Sequence, residues 1–272
     1  MKLLAVEVRR ALHRRIVWVL LAVAFAGAAL AGVIAFVSSA GRDPATLVPA
    51  GSEEGHPALM VDWWQPGTAN GFLTIAAFYL LMGALIGGAS MVGAEWRAGT
   101  VTTVLTWDPR RLRLFGARVG ACVLCAGVIA VLLQVLFLAA FLPAVLANGS
   151  TAGADAEWVR SLAGAVGRIA VLTALAAGLG ASLAFLGRNT TAALAVGWGW
   201  VVVGESLLRS LRPGSARFLV GENGAVFLTG ADLEGASFTR APVVAAATLV
   251  GYAGLVAVLA AVRFRRADIA AT

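Results

Sequence analysis

An all-α integral membrane protein with six transmembrane helices is the fold class this sequence predicts, on three observations. The 272 residues are 60% hydrophobic and 13% charged, with a mean hydropathy of +0.88. A soluble domain of that size could not hide so much apolar surface, so lipid is the solvent for most of the chain. The apolar residues also fall into six long runs, with the charges in the gaps. Finally, the charges are segregated. Fourteen of the 21 basic residues lie at the N-terminus, between the second and third runs, at Arg188 and in the tail, opposed only by Glu7, Glu95, Asp108 and Asp268. That face carries +10, whereas seven basic and ten acidic residues leave −3 on the other. The asymmetry predicts that both termini are cytoplasmic. The net charge of +7 therefore reports topology, not a nucleic-acid surface.

In chain order, Met1 to Arg15 reads as an amphipathic helix lying in the membrane interface. Leu4, Val8, Ala11 and Leu12 share one arc, opposite Arg9, Arg10 and His13. The first span, 16–37, carries no charge and is long enough for a hydrocarbon core of roughly 30 Å. It exceeds the apolar run of a signal peptide and is read as uncleaved. Residues 38–71 form a polar outer loop, with Trp63-Trp64 as an aromatic anchor at the interface. The second span is 72–93, where Gly83 and Gly87 are spaced for close helix packing. The third, 119–142, is closed by Pro143, and Asn148 to Trp158 is a short outer loop. The fourth runs over 161–186, with Arg168 snorkelling to the outer interface. Gly187-Arg188-Asn189-Thr190 makes a tight inner turn before the fifth span, 191–208, and the sixth covers 243–262. All 272 residues form one transmembrane domain. Between Arg209 and Arg240, two short apolar stretches broken by Gly221, Gly224 and Gly230 read either as a re-entrant segment or as an outer loop with a small apolar core.

The cytoplasmic stretch from Gly93 to Arg118 organises the rest. Gly99 precedes Thr100, a hydroxyl residue suited to N-cap a short helix over Val101 to Trp107, including Thr103 and Val104. Asp108-Pro109 gives a second start signal, and Arg110, Arg111, Arg113 and Arg118 lead into the third span. A helix that short buries no core of its own, which predicts a surface for another protein. Glu95, at the inner end of the second span, pairs either with arginines of the loop or with Arg10 or Arg14 of the N-terminal helix, or with a residue of a partner.

Enzyme chemistry finds no constellation. The two histidines, His13 and His56, fall on opposite sides. Cys122 and Cys125, at i, i+3 in an apolar run, read as packing residues. Polar residues within the spans are Gln134, an interhelical hydrogen-bond partner or a pathway residue, and Glu205. Glu205 is expected to pair with Arg209 at i, i+4, or to act with it as a gate. Lys2 is the only lysine, so no phosphate-binding GxxxxGK[ST] loop exists and any ATP must be bound by another chain.

Glu95, Gly99-Thr100, the short helix, Pro109 with Arg111, and Arg118 before the next span together resemble the cytoplasmic loop of type-2 ABC exporter permeases. The N-terminal amphipathic helix, the six spans and the glycine-broken segment before the last one extend that likeness over nearly the whole chain. Arg118 stands where many members have Lys, which keeps the charge. The resemblance implies a bacterial plasma-membrane permease that pairs with a second permease, identical or homologous, and with two cytosolic ATPase subunits. ATP and Mg would bind those subunits, and no cofactor this chain. It further implies that Val101 to Trp107 is a coupling helix docked on the ATPase, with Glu95 close to that contact, and that the segment before the sixth span closes the outer end of the path. A hydrophobic or amphipathic cargo suits such spans. An ion-coupled transporter would be expected to carry ionisable residues near mid-membrane. A membrane anchor or sensor would not need the Gly-Thr…Pro-Arg loop.

Overall fold

The computed structural model describes residues 2–43, 47, 55–65, 71–107, 110–230 and 239–266. They form helices α1 (Lys2–Leu12), α2 (Arg15–Ser39), α3 (Phe72–Arg97), α4 (Thr100–Trp107), α5 (Arg111–Asn148), α6 (Ala156–Gly187), α7 (Thr190–Trp198), α8 (Glu205–Leu211), α9 (Val220–Thr229) and α10 (Pro242–Arg266). A π-helical turn, Gly199–Gly204, joins α7 to α8, so that the two form one run, Thr190–Leu211. Six helices or runs are long and apolar enough to cross a membrane, namely α2, α3, α5, α6, the α7–α8 run and α10. The architecture is that of a multi-pass membrane protein. No strand forms among the described residues; Leu59 and Ser150 make one isolated bridge.

Half of the α6 span is buried, against 17–28% for the other five, which makes α6 the central post. Its partners approach where glycine removes a side chain. A Cβ on Gly88 would overlap the Ala177 carbonyl, and one on Gly180 the Leu85 carbonyl. Gly32 brings α2 against the Ala140 carbonyl of α5 in the same way. The small-residue contacts of membrane bundles thus lie at these positions. Gly83 does not make one: a Cβ there meets nothing within 4 Å, and one on Gly87 only Leu20 Cδ1 at 3.8 Å.

Two apolar clusters stack along α6. One, toward α1, contains Met91, Val101, Leu114, Phe115, Phe185 and Phe264; ring centroids of Phe185 lie 4.9 Å from Phe115 and 5.0 Å from Phe264. The other gathers Trp63, Trp64, Phe141 and Trp158. Here the structure corrects the expected aromatic anchor, because Trp63 and Trp64 are 2% and 0% exposed. Their indole N–H groups donate to the Pro57 carbonyl at 2.8 Å and to Ser161 Oγ at 2.9 Å. Tryptophan fits inside when its one donor finds a partner.

Helix ends differ from the expected ones for identifiable reasons. α5 runs through Pro143 to Asn148. Proline removes the bond to the carbonyl four residues back, but burial of Ala144 and Val145 in the cluster around Trp63 and Trp64 holds the next turn. α6 begins at Ala156, where the Asp155 carboxylate accepts the Trp158 N–H at 2.8 Å. The turn at Arg188 is tight as expected, with φ +52, and Asn189 caps α7 through the Thr191 N–H at 2.8 Å.

Candidate functional site

Glu95 lies in the last turn of α3, which outruns its apolar stretch, and the extra turn carries the carboxylate into a buried ion cluster. Glu95 is 4% exposed, Glu7 5% and Arg118 3%. Glu95 Oε1 meets the guanidinium of Arg14 at 2.6 Å and that of Arg10 at 3.2 Å. Its Oε2 pairs with Arg118, whose Nε is 3.6 Å from Glu7. Arg14 also donates to the Ser90 carbonyl at 3.3 Å. Three arginines and two glutamates from α1, its connection to α2, α3 and α5 thus meet at one point. Arg118 makes its contacts as ion pairs off the hydrogen-bonding direction, for none of its three nitrogens has a hydrogen-bond partner. Burial lowers the Arg14 pKa, and the adjacent Glu95 carboxylate opposes that shift.

Of the pairings open to Glu95, the cluster realises two, one with Arg118 of the loop stretch and one with Arg10 and Arg14. Nothing local in the loop could reveal the second, since Arg14 is 81 residues away in sequence.

The short helix forms where expected, with Gly99 at φ +67 supplying the left-handed turn between α3 and α4. Thr100 is the first helical residue rather than a cap, and its hydroxyl donates to the Glu95 carbonyl at 3.4 Å. α4 has intrachain contacts after all. Val101 is 1% exposed in the cluster around Phe185 and Leu105 packs against it. Thr103 is exposed. Val104 and Trp107 belong to the helix, and Pro109 and Asp108 lie outside the described residues. α5 starts at Arg111, beyond the expected Asp-Pro signal. Arg111 donates to the carbonyls of Phe264 and Arg265 at 3.4 and 3.2 Å, a cation at the C-terminus of α10.

At the other end of the bundle, the expected Glu205–Arg209 pair is replaced. Glu205 is 1% exposed, and its carboxylate accepts the N–H groups of Val220 at 2.5 Å and Gly221 at 2.8 Å. It caps α9, while Arg209 pairs with Glu222 at 2.7 Å. The π turn just before Glu205 adds a residue to the helical repeat and re-aims the side chains of α8. Arg168 does not snorkel. Its Nε donates to the Leu228 carbonyl at 3.0 Å, at the C-terminus of α9. Asn223, 0% exposed, accepts from Arg240 at 2.7 Å, and the Tyr252 hydroxyl donates to the Phe218 carbonyl at 3.0 Å. Arg168 and Arg240 carry no motif in sequence that could have marked them as α9 partners.

Gln134, fully buried, donates to Ala130 of its own helix at 3.0 Å and to the Val166 carbonyl of α6 at 3.4 Å. That is the interhelical role. Cys122 is buried, its Sγ 3.6 Å from Met91 Sδ, and Cys125 is half-buried; both are free thiols. His56 approaches Ser38 Oγ through Nε2 at 3.3 Å, while Nδ1 accepts the Ala58 N–H at 3.1 Å. Asp62 accepts the backbone N–H of His56 at 2.8 Å, not its ring. A ring oriented by an N–H donor is the wrong tautomer to take a proton from serine. Among the described residues, no group of three His, Cys, Asp or Glu side chains could hold a metal.

No protein-family model matches the chain, and no curated protein matches it.

Proposed function

We propose that this chain is the permease subunit of an ATP-driven ABC exporter. With a second permease it forms the path for a hydrophobic or amphipathic substrate, while two cytosolic ATPase subunits bind ATP and Mg. It lies in a bacterial plasma membrane with both termini in the cytoplasm. The observation that carries this reading is the buried ion cluster, five residues before the start of α4.

Stability alone does not call for such a cluster. Replacing buried ion pairs by apolar side chains of similar volume is often neutral or stabilising. What the charges supply is a directional joint. α4 offers Thr103 outward and is pinned inward through Val101 and Leu105. A push on α4 passes through the Gly99 turn to Glu95, and from Glu95 to the arginines of α1 and α5. α1 then acts as an interfacial lever, and α4 as the coupling helix. At the far end, α9 is held between α6, α8 and α10, and in this reading it is the re-entrant segment that closes the path. Alternating access requires only that two arrangements of these joints differ by a few kcal/mol.

The test is to purify the chain with its native complex and assay ATP hydrolysis. Wild type is expected to carry a nucleotide-binding subunit and activity, and Thr103→Arg to insert and fold but lose both. A native complex with no ATP-hydrolysing subunit would falsify the reading.

A further inference from the structure

An apolar cavity of about 780 Å³ runs between α2, α3 and α5. Its lining on α2 extends from Val17 to Ala35, about 27 Å at 1.5 Å per residue. The volume is therefore spread along most of a hydrocarbon thickness, a shape for an extended chain and not for a compact ring system. Two glycines of the wall leave the trough open. A Cβ on Gly27 or Gly83 would meet nothing within 4 Å.

Two donors in the wall are already engaged. Gln134 Nε2 is turned to the Ala130 and Val166 carbonyls, and the Thr173 hydroxyl donates to Ile169 at 2.7 Å. No cationic side chain lines the wall, so an anionic headgroup finds its partner only at an end. The end near α1 is lined by Leu12 and Val17, flanked in sequence by Arg9 and Arg15. Both arginines are exposed and ion-paired to nothing among the described residues.

We propose that this trough binds one acyl chain of an anionic phospholipid from the leaflet facing α1, its phosphate against Arg9 and Arg15. The site needs only the trough and its basic end, so it stands whether or not the chain is a permease.

Native mass spectrometry of the purified chain with phosphatidylglycerol or phosphatidylcholine tests it. Wild type is expected to retain phosphatidylglycerol preferentially. Arg9→Gln with Arg15→Gln should reduce that preference by about fivefold per arginine. Gly27→Leu with Gly83→Leu should lower retention of both lipids by at least about tenfold. Gly251→Leu, whose Cβ also meets nothing within 4 Å but which lies off the trough, should leave retention unchanged. A second readout needs no variant: phosphatidylglycerol should slow alkylation of Cys125, which lines the trough, by a lipid-soluble maleimide. Equal retention of the two lipids by wild type, undiminished binding in the filled variant, or unprotected Cys125 overturns the proposal. So does a filled variant that loses only its association with a second copy.

Discussion

The carboxylate of Glu205 closes the N-terminus of α9, and a Cβ on Gly221 would lie 2.8 Å from its Oε2. The guanidinium of Arg168 stands at the opposite end of the same ten-residue helix. An anion at the positive end and a cation at the negative end both complement the helix dipole. α9 thus owes its seat to charges contributed by α6 and α8 rather than to its own sequence.

Glu205→Gln should loosen that seat. A charged acceptor of two N–H groups is worth roughly 1.5–3 kcal/mol, so amide exchange over 220–229 should rise by about tenfold or more. Gly221→Ala should act in the same direction by displacing the carboxylate. Unchanged exchange in both variants would show that the contacts to α10 alone hold the helix.

Arg168→Met tests the other end. Gly230 sits at φ +73, and a Cβ there would approach the guanidinium carbon to 2.7 Å. Removal of the guanidinium should expose the last turn of α9, about 0.3–2 kcal/mol by the dipole effect. The exchange increase should be confined to 226–230 and spare the capped N-terminal turn.

Glu95→Gln leaves Arg118 buried with only Glu7 near it. Losing one partner of a buried ion pair costs roughly 3–5 kcal/mol. α1 should detach, becoming sensitive to trypsin at Arg9 and Arg10, and ATP turnover in the complex should fall sharply. Glu95→Asp should keep part of both, because charge survives and reach does not. Wild-type proteolysis and turnover in Glu95→Gln would remove the cluster from the coupling route.

Sidedness is checked with cysteines at Thr103 and Thr151, both exposed and at opposite ends of the bundle. An impermeant maleimide should reach Thr103→Cys only from the cytoplasm and Thr151→Cys only from outside. The reverse pattern at either position overturns the orientation.

The loop between α2 and α3 should respond to acid. Burial first, then the Arg42 guanidinium, lower the His56 pKa below its ordinary 6.5, with Asp62 pulling the other way. Neutral Nδ1 accepts the Ala58 N–H, so protonation breaks that bond. A depressed folded pKa means full stability above 6.5 and progressive loss as pH falls through the folded value. Asp62, raised chiefly by burial, has the opposite sign: its contribution is full below 3.8 and is lost as pH rises through its folded value. Tryptophan fluorescence from Trp63 and Trp64 should therefore shift between pH 7.5 and 5 in wild type, and much less in His56→Gln.

The six apolar runs, their order and the short helix after Gly99 were legible in sequence because each is a local property: a run long enough to span, a glycine free to turn left-handed, a count of charges. Composition cannot say which side chains meet. Trp63 and Trp64 look like interface anchors until Ser161 and Pro57 supply their partners, and Pro143 looks like a stop until the cluster around those tryptophans holds the turn beyond it. Glu205 and Arg209 are spaced to pair, yet each chooses a residue of the segment folded back from Leu211. In a low-dielectric interior a buried charge or N–H must find a partner wherever the fold places one. Spans and turns are therefore written along the chain, whereas the pairing of Glu95 with Arg14 and Arg118 exists only once the helices have packed.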